Sequence, residues 1–164
     1  FPYTTLFRSI KGTREYEEAR QLLIKDTNAA IEGALEAGAD EVVVVDAHGT
    51  GFNFPMEELH PEAKFIFGTN ASIRFPFLDA SFDLGFLIGY HAMSGTLAAI
   101  LDHTYSSLSV DRMVVNGIEM GEVGIDALRF GHFGVPVALI TGDDKVCIEA
   151  ERFFGKVEIG RAHV

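Results

Sequence analysis

Two histidines follow apolar runs that predict buried strands. His48 comes shortly after the β-branched run at residues 42–45, and His91 follows a second run at residues 82–89, separated from it by Tyr90. Open α/β sheets place their ligands beyond the carboxyl ends of the strands, and a buried imidazole needs a hydrogen-bonding or metal partner. Each histidine alone is typical of a structural residue, but two at equivalent strand ends indicate a metal site.

Two further residues could complete such a site. Glu122 opens a predicted helix, where a carboxylate can bind a metal or simply complement the helix dipole. His103 lies in a segment of small polar residues, where a histidine could act as acid, base or nucleophile. The spacing therefore indicates a metal site without choosing a reaction.

The elements that must position these residues alternate between helices and strands. An amphipathic pattern predicts a helix over residues 15–37, with Thr13 as its N-cap and Gly38 just after its end. Asn116-Gly117 predicts a type I′ hairpin. Further strands are predicted at residues 41–46, 64–67, 82–89 and 135–141, and further helices at 121–130 and 145–154, with Asp143 and Asp144 capping the last. We therefore expect one domain, a three-layer α/β sandwich with a mostly parallel sheet.

Composition excludes several classes of partner. The formal net charge of −11 disfavours nucleic acids and anionic membranes. No apolar run approaches the roughly 18 residues that span a bilayer. The single cysteine, Cys147, excludes an internal disulfide framework and favours a reducing compartment, so we expect a cytoplasmic location.

A set of short motifs, taken in order, resembles one family over nearly all of residues 12–154. The motifs are Glu-Tyr-Glu-Glu-Ala-Arg at 15–20, Asp-Glu-Val-Val-Val-Val-Asp-Ala-His-Gly at 40–49, Leu-His-Pro-Glu-Ala at 59–63, Gly-Tyr-His-Ala at 89–92, Asp-His-Thr at 102–104, Asn-Gly at 116–117, Gly-Glu-Val-Gly at 121–124 and Gly-Asp-Asp at 142–144. Any one of them is unspecific, but the ordered set resembles the zinc D-aminopeptidases of the dipeptide-transport operon.

That resemblance implies a dinuclear zinc centre that cleaves short peptides with an N-terminal D-amino acid. Carried over by position, it implies that His48, His91 and Glu122 are zinc ligands and that His103 is the catalytic residue. Asp46 would be a turn residue or would support a ligand from behind. The resemblance also implies a homo-oligomeric ring that encloses its active sites.

The ends of the chain depart from the family. Residues 1–9 and 159–164 resemble in-frame translations of two sequencing adapters, and Glu158 straddles the second junction. We therefore expect a partial domain at residues 10–157, with non-native ends at 1–9 and 158–164. The family's opening Ser-x-Asp-x-Glu-Gly motif, which supplies two metal-binding carboxylates, and its C-terminal portion have no counterpart here. We expect this chain to bind zinc poorly and to have little or no activity, the activity belonging to the parent protein.

Two alternatives stay open at this point. One is a non-catalytic α/β module that holds a small peptide or nucleotide, in which replacing His48, His91 or Glu122 would leave ligand affinity unchanged. The other is a metal-dependent hydrolase of a different amide or ester, which the residues do not separate from the peptidase.

Overall fold

The computed structural model describes residues 11–49, 51–68 and 73–154, and the backbone of residues 158–161. The predicted adapter-derived segment 1–9 lies outside the described residues. The chain divides into two compact units, an N-terminal unit, Pro2–Phe77, and a C-terminal unit, Leu78–Val164.

The N-terminal unit is built on helix α1, Arg14–Glu36. The helix begins at the predicted cap, because the Thr13 side chain accepts a hydrogen bond from the Tyr16 backbone N–H. Gly38 follows its end with a φ of 96°, a conformation that glycine adopts without strain. The apolar stripe of α1 is buried, and the unit adds two parallel strands, β1 (Val43–Val45) and β2 (Lys64–Ile66), with a 3₁₀ helix at Met56–Glu58.

The C-terminal unit contains three parallel strands in the order β3, β6, β7: β3 is Gly85–Tyr90, β6 is Val137–Gly142 and β7 is Glu158–Arg161. Helix α2 (Glu122–His132) packs against β3, and helix α3 (Asp144–Phe154) packs against both α2 and β6. The side chains of Leu87, Ile140, Val123 and Val146 are almost fully buried and form the core between these elements.

A tight hairpin precedes α2. Its strands are β4 (Val114–Val115) and β5 (Ile118–Glu119), which pair antiparallel. Asn116 and Gly117 both have positive φ, 51° and 80°, as a type I′ turn requires. The predicted hairpin is therefore confirmed. Only Met120 and Gly121 separate its second strand from Glu122, the first residue of α2.

The predicted α/β class with parallel strand pairing is confirmed, and the differences are in element lengths. The strands predicted at residues 41–46 and 82–89 are shorter, covering Val43–Val45 and Gly85–Tyr90. The helix predicted over 121–130 begins at Glu122 and continues to His132. A strand's length is set by its hydrogen-bonded neighbour rather than by its own composition, which explains the shortening.

The proposed domain extent, residues 10–157, stays a prediction. The backbone of Glu158–Arg161 pairs in register with β6, but backbone pairing does not depend on the origin of the residues. Among the described residues, every helix is too short or too polar to span a bilayer.

Candidate metal centre

His91 is placed by an irregularity at the end of β3. The pairing of β3 with β6 shifts register between Leu87 and Tyr90, and Gly89 has a φ of 74°. The Gly89 N–H donates to the Thr141 hydroxyl at 2.9 Å. Such an interruption re-aims the side chains that follow it, and here it places a buried His91 just beyond the strand.

The loop after β3 folds back and brings His103 onto His91. The backbone N–H of His103 donates to the Ala92 carbonyl at 3.2 Å. The Ser94 N–H donates to the Thr104 hydroxyl, and the Gly95 N–H donates to the Asp102 carboxylate. The two imidazole rings stack with their centroids 3.6 Å apart and their planes 16° from parallel. The loop thus holds two imidazoles in one place.

Glu122, the first residue of α2, directs its carboxylate at both rings. Its Oε1 lies 3.2 Å from Nε2 of His91 and 3.8 Å from Nε2 of His103. The same oxygen accepts a hydrogen bond from the Tyr105 N–H at 2.9 Å. Because the Glu122 side chain is buried, this charged group needs compensation by a cation or by several donors.

The opposite edge of each ring fixes which nitrogen faces the carboxylate. Nδ1 of His91 lies 3.2 Å from the Ala92 carbonyl, and Nδ1 of His103 lies 2.9 Å from the Leu101 carbonyl. A carbonyl only accepts, so these contacts assign the proton to Nδ1 of each ring. Metal-ligating histidines are held in this way, with the second nitrogen donating to a carbonyl or carboxylate.

The spacing of these atoms fits a zinc ion. One ligand atom from each of His91, His103 and Glu122 lies within 4.8 Å of the others. Zinc bonds of about 2.0–2.1 Å at tetrahedral angles separate neighbouring ligands by about 3.3 Å. The 3.2 Å between His91 and Glu122 matches that separation, whereas the 3.8 Å from His103 is longer.

Burial and charge move the two histidine pKa values in opposite directions. Burial lowers the pKa of His91, but the Glu122 carboxylate, the Ala92 carbonyl and the charge of Glu149 together outweigh it, and the net shift is upward. Burial and then the neighbouring His91 hold the pKa of His103 below its usual value. The pKa values of the two stacked imidazoles are therefore shifted apart.

His48 and Asp46 lie in the N-terminal unit, in the turn after β1. The buried Asp46 carboxylate accepts hydrogen bonds from the His48 N–H, the Asn53 N–H and the Asn53 side-chain amide, at 3.3, 2.6 and 2.9 Å. Asp46 is therefore a turn residue, one of the two roles predicted for it. The structure brings together His91, His103 and Glu122 within the C-terminal unit, and the assignment of His48 as a ligand stays a prediction.

A hydrogen-bonded chain behind the site was not predicted from the sequence. Asp126 is fully buried, accepts from the Tyr90 hydroxyl at 2.7 Å and pairs with Arg129. Arg129 also donates to the Tyr105 hydroxyl at 2.6 Å. These hydrogen bonds link Tyr90, the residue before His91, to Tyr105, whose backbone N–H donates to Glu122. Their only sequence signal is the spacing of Asp126 and Arg129 on one helix face.

The fold and the site together define a class of protein: an α/β protein whose candidate metal site is built from one buried carboxylate and two imidazoles. The family model for D-aminopeptidase matches residues 5–162, and the chain belongs to this family, as the motifs predicted.

Two comparisons, each with a D-aminopeptidase from Bacillus subtilis, support the assignment. A D-aminopeptidase of strain 168 is 34% identical over 151 residues, which cover 89% of this chain and 53% of the relative. The solved structure of the Zn-dependent D-aminopeptidase DppA, a self-compartmentalizing protease, superposes with a TM-score of 0.90 at 31% identity. That match covers 98% of this chain and 58% of DppA, so the chain spans little more than half the length of these relatives.

Proposed function

We propose that this chain is part of a zinc-dependent aminopeptidase that hydrolyses short peptides with an N-terminal D-amino acid. The observation that carries the proposal is the convergence of two Nε2 atoms on Oε1 of Glu122, with both Nδ1 atoms held by backbone carbonyls. In a member of the D-aminopeptidase family, this geometry favours a metallopeptidase over a module that merely holds a ligand.

Each residue has a distinct role in this proposal. His91 and Glu122 bind zinc, together with His48 from the turn after β1. Zinc bound there supplies Lewis-acid polarisation of the scissile carbonyl and lowers the pKa of water. His103 transfers protons through Nε2, because the Leu101 carbonyl occupies its Nδ1 and the ring stands farther from Glu122 than His91 does.

The same proposal covers the number of zinc ions, the cellular location, the partners, the assembly and the native extent of the chain. Two zinc ions share the active site, the second completed by carboxylates of the family's Ser-x-Asp-x-Glu-Gly segment. The protein is cytoplasmic, takes small peptides rather than nucleic acid or membrane as partners, and assembles as a homo-oligomer. The description of DppA as self-compartmentalizing supports the assembly. Residues 10–157 are the native part of the chain.

The test is hydrolysis of a D-alanyl dipeptide in the presence of zinc. The chain is compared with a chimaera in which the opening segment of the Bacillus subtilis relative precedes Gly12. We expect the chimaera to hydrolyse the D-peptide, the chain alone to be far less active, and a chelator to abolish turnover. Equal turnover of the L-alanyl isomer would favour a hydrolase of other specificity, and no turnover by the chimaera would contradict a peptidase.

Replacing each histidine separates the ligand from the catalytic residue. In the chimaera, we expect His91→Ala to weaken zinc binding by more than about 100-fold, since changes behind a ligand already cost about 10–100-fold. His103→Ala should leave zinc affinity within about threefold while lowering kcat by about 10²–10⁴-fold, the usual contribution of a proton-transfer group. The exposed His132, replaced in the same way, is the matched control. Loss of zinc in His103→Ala would make His103 a ligand.

A further inference from the structure

Glu149 occupies a position between the two segments that carry the metal-site residues. It lies on α3, and its side chain is 5% exposed. Its Oε2 accepts a hydrogen bond from the Met93 N–H at 2.8 Å, and its Oε1 accepts one from the Gly121 N–H at 3.0 Å. One carboxylate therefore joins the loop after β3 to the start of α2.

Both donors adjoin residues of the metal site. Met93 is two residues after His91, and Gly121 is the residue before Glu122. We propose that Glu149 is a positioning residue, which holds the His91 segment and the first turn of α2 at the separation that a shared metal ion requires. This inference rests on the proposed metal site, and Glu149 itself binds neither metal nor substrate in it.

The packing at Gly121 is a second, independent observation. A Cβ atom at this position would lie 2.6 Å from Oε1 of Glu149, 2.6 Å from Cβ of Met93 and 3.0 Å from its Cα. The φ of Gly121 is −88°, which any residue can adopt, so glycine is needed here for space rather than for conformation. The absence of a side chain is what lets the two segments close on Glu149.

The chemistry of the contact requires a carboxylate. Both oxygens of an ionised glutamate accept hydrogen bonds, whereas glutamine offers one acceptor and one NH₂ donor. Glu149→Gln therefore sets a donor against one of the two backbone N–H groups while keeping the volume of the side chain. A buried N–H without an acceptor is costly, so the segment that loses its bond moves away from α3.

The inference is tested in the chimaera, which carries the family's opening segment, by titration with Co²⁺, followed by its visible absorption, and with Zn²⁺ in competition with a chelating dye. We expect Glu149→Gln to weaken both metals by about 10–100-fold, as changes behind a ligand do, and to alter the Co²⁺ spectrum. Gly121→Ala should act in the same direction, because it pushes the same segments apart. Glu151→Gln, on an exposed position of the same helix, should bind metal as the parent does.

A purely structural role is excluded by a variant of matched destabilisation. Val146→Ala removes a fully buried side chain from the same helix and leaves the Glu149 contacts in place. We expect it to lower the melting temperature at least as much as Glu149→Gln while keeping the metal affinity and the Co²⁺ spectrum of the parent. Equal metal affinities in Glu149→Gln and Val146→Ala would overturn the inference.

The failures of the two proposals are distinguishable. If His91→Ala weakens metal binding and Glu149→Gln does not, Glu149 is not a positioning residue and the metal site stands. If the chimaera binds no metal, or if His91→Ala binds metal as the unchanged chimaera does, the metal site fails and the role of Glu149 fails with it.

Discussion

The two units each bury a carboxylate next to a histidine motif, and the two carboxylates are used differently. Asp46 and Glu122 are almost equally buried, with 4% and 6% exposure. Asp46 is surrounded by hydrogen-bond donors of its own turn, whereas Glu122 faces two imidazole Nε2 atoms from another segment. Burial alone therefore does not separate a structural carboxylate from a metal ligand. The chemistry of the partners separates them.

Glu122→Gln should have the largest effect, and that effect should be on metal affinity. It keeps an oxygen for the Tyr105 N–H but removes the charge that a metal ion requires. We expect metal affinity to fall by more than about 100-fold, while the metal-free protein changes in stability by less than about 1 kcal/mol, because a buried charge is itself costly. Isothermal titration of the chimaera with zinc measures the first effect, and urea unfolding of the metal-free protein measures the second.

The half-exposed Glu119 near the end of the hairpin, which pairs with Arg112 at the surface, provides the control for Glu122→Gln. Glu119→Gln should leave both quantities unchanged. A large loss of stability in metal-free Glu122→Gln, with zinc affinity preserved, would show that Glu122 is a structural carboxylate like Asp46.

Asp46→Asn should give the opposite pattern to Glu122→Gln, because its main effect should be on the free energy of unfolding. The new NH₂ group would face the Asn53 N–H, which now lies 2.6 Å from Oδ2. Two buried donors then oppose each other, and we expect a loss of about 1–3 kcal/mol in the free energy of unfolding. Urea unfolding followed by circular dichroism measures it, with the exposed Asp40→Asn as the control. An unchanged midpoint would contradict the turn role of Asp46.

Two glycine substitutions give the smallest expected effects and extend the comparison to the backbone. Gly33 is exposed within α1, and a Cβ atom there would meet nothing within 4 Å. Gly33→Ala should therefore stabilise the protein by about 0.8–1 kcal/mol. Gly89→Ala should destabilise it by about 1–2 kcal/mol, because residue 89 has a left-handed φ. Thermal unfolding measures both, and equal signs would contradict the role assigned to Gly89.

The local elements were predictable where short-range chemistry decides them. Thr13, Gly38 and the Asn116-Gly117 turn act through their own backbone neighbours, and all three are found as predicted. Strand ends were less predictable, because a strand stops where its partner stops, and the partner lies far away in the sequence. The length of β3 depends on β6, some fifty residues later.

The clustered residues of the site were predictable from the sequence, but the residue that we propose positions them was not. His91, His103 and Glu122 were found through their motifs, and the structure brings them together. Glu149 was missed because its position on α3 looks like any other helical glutamate. Its function comes from two backbone N–H groups in distant segments, and no residue pattern in the sequence records such contacts.

The three clustered residues all come from the span of residues 91–122, and this has a consequence for how the site forms. The entropy lost in closing a loop grows only with the logarithm of its length, and contacts between residues near in sequence form faster than distant ones. This part of the site is therefore local in folding terms. Its three side chains come from a single stretch of chain, whose two ends Glu149 of α3 then holds together through the Met93 and Gly121 N–H groups.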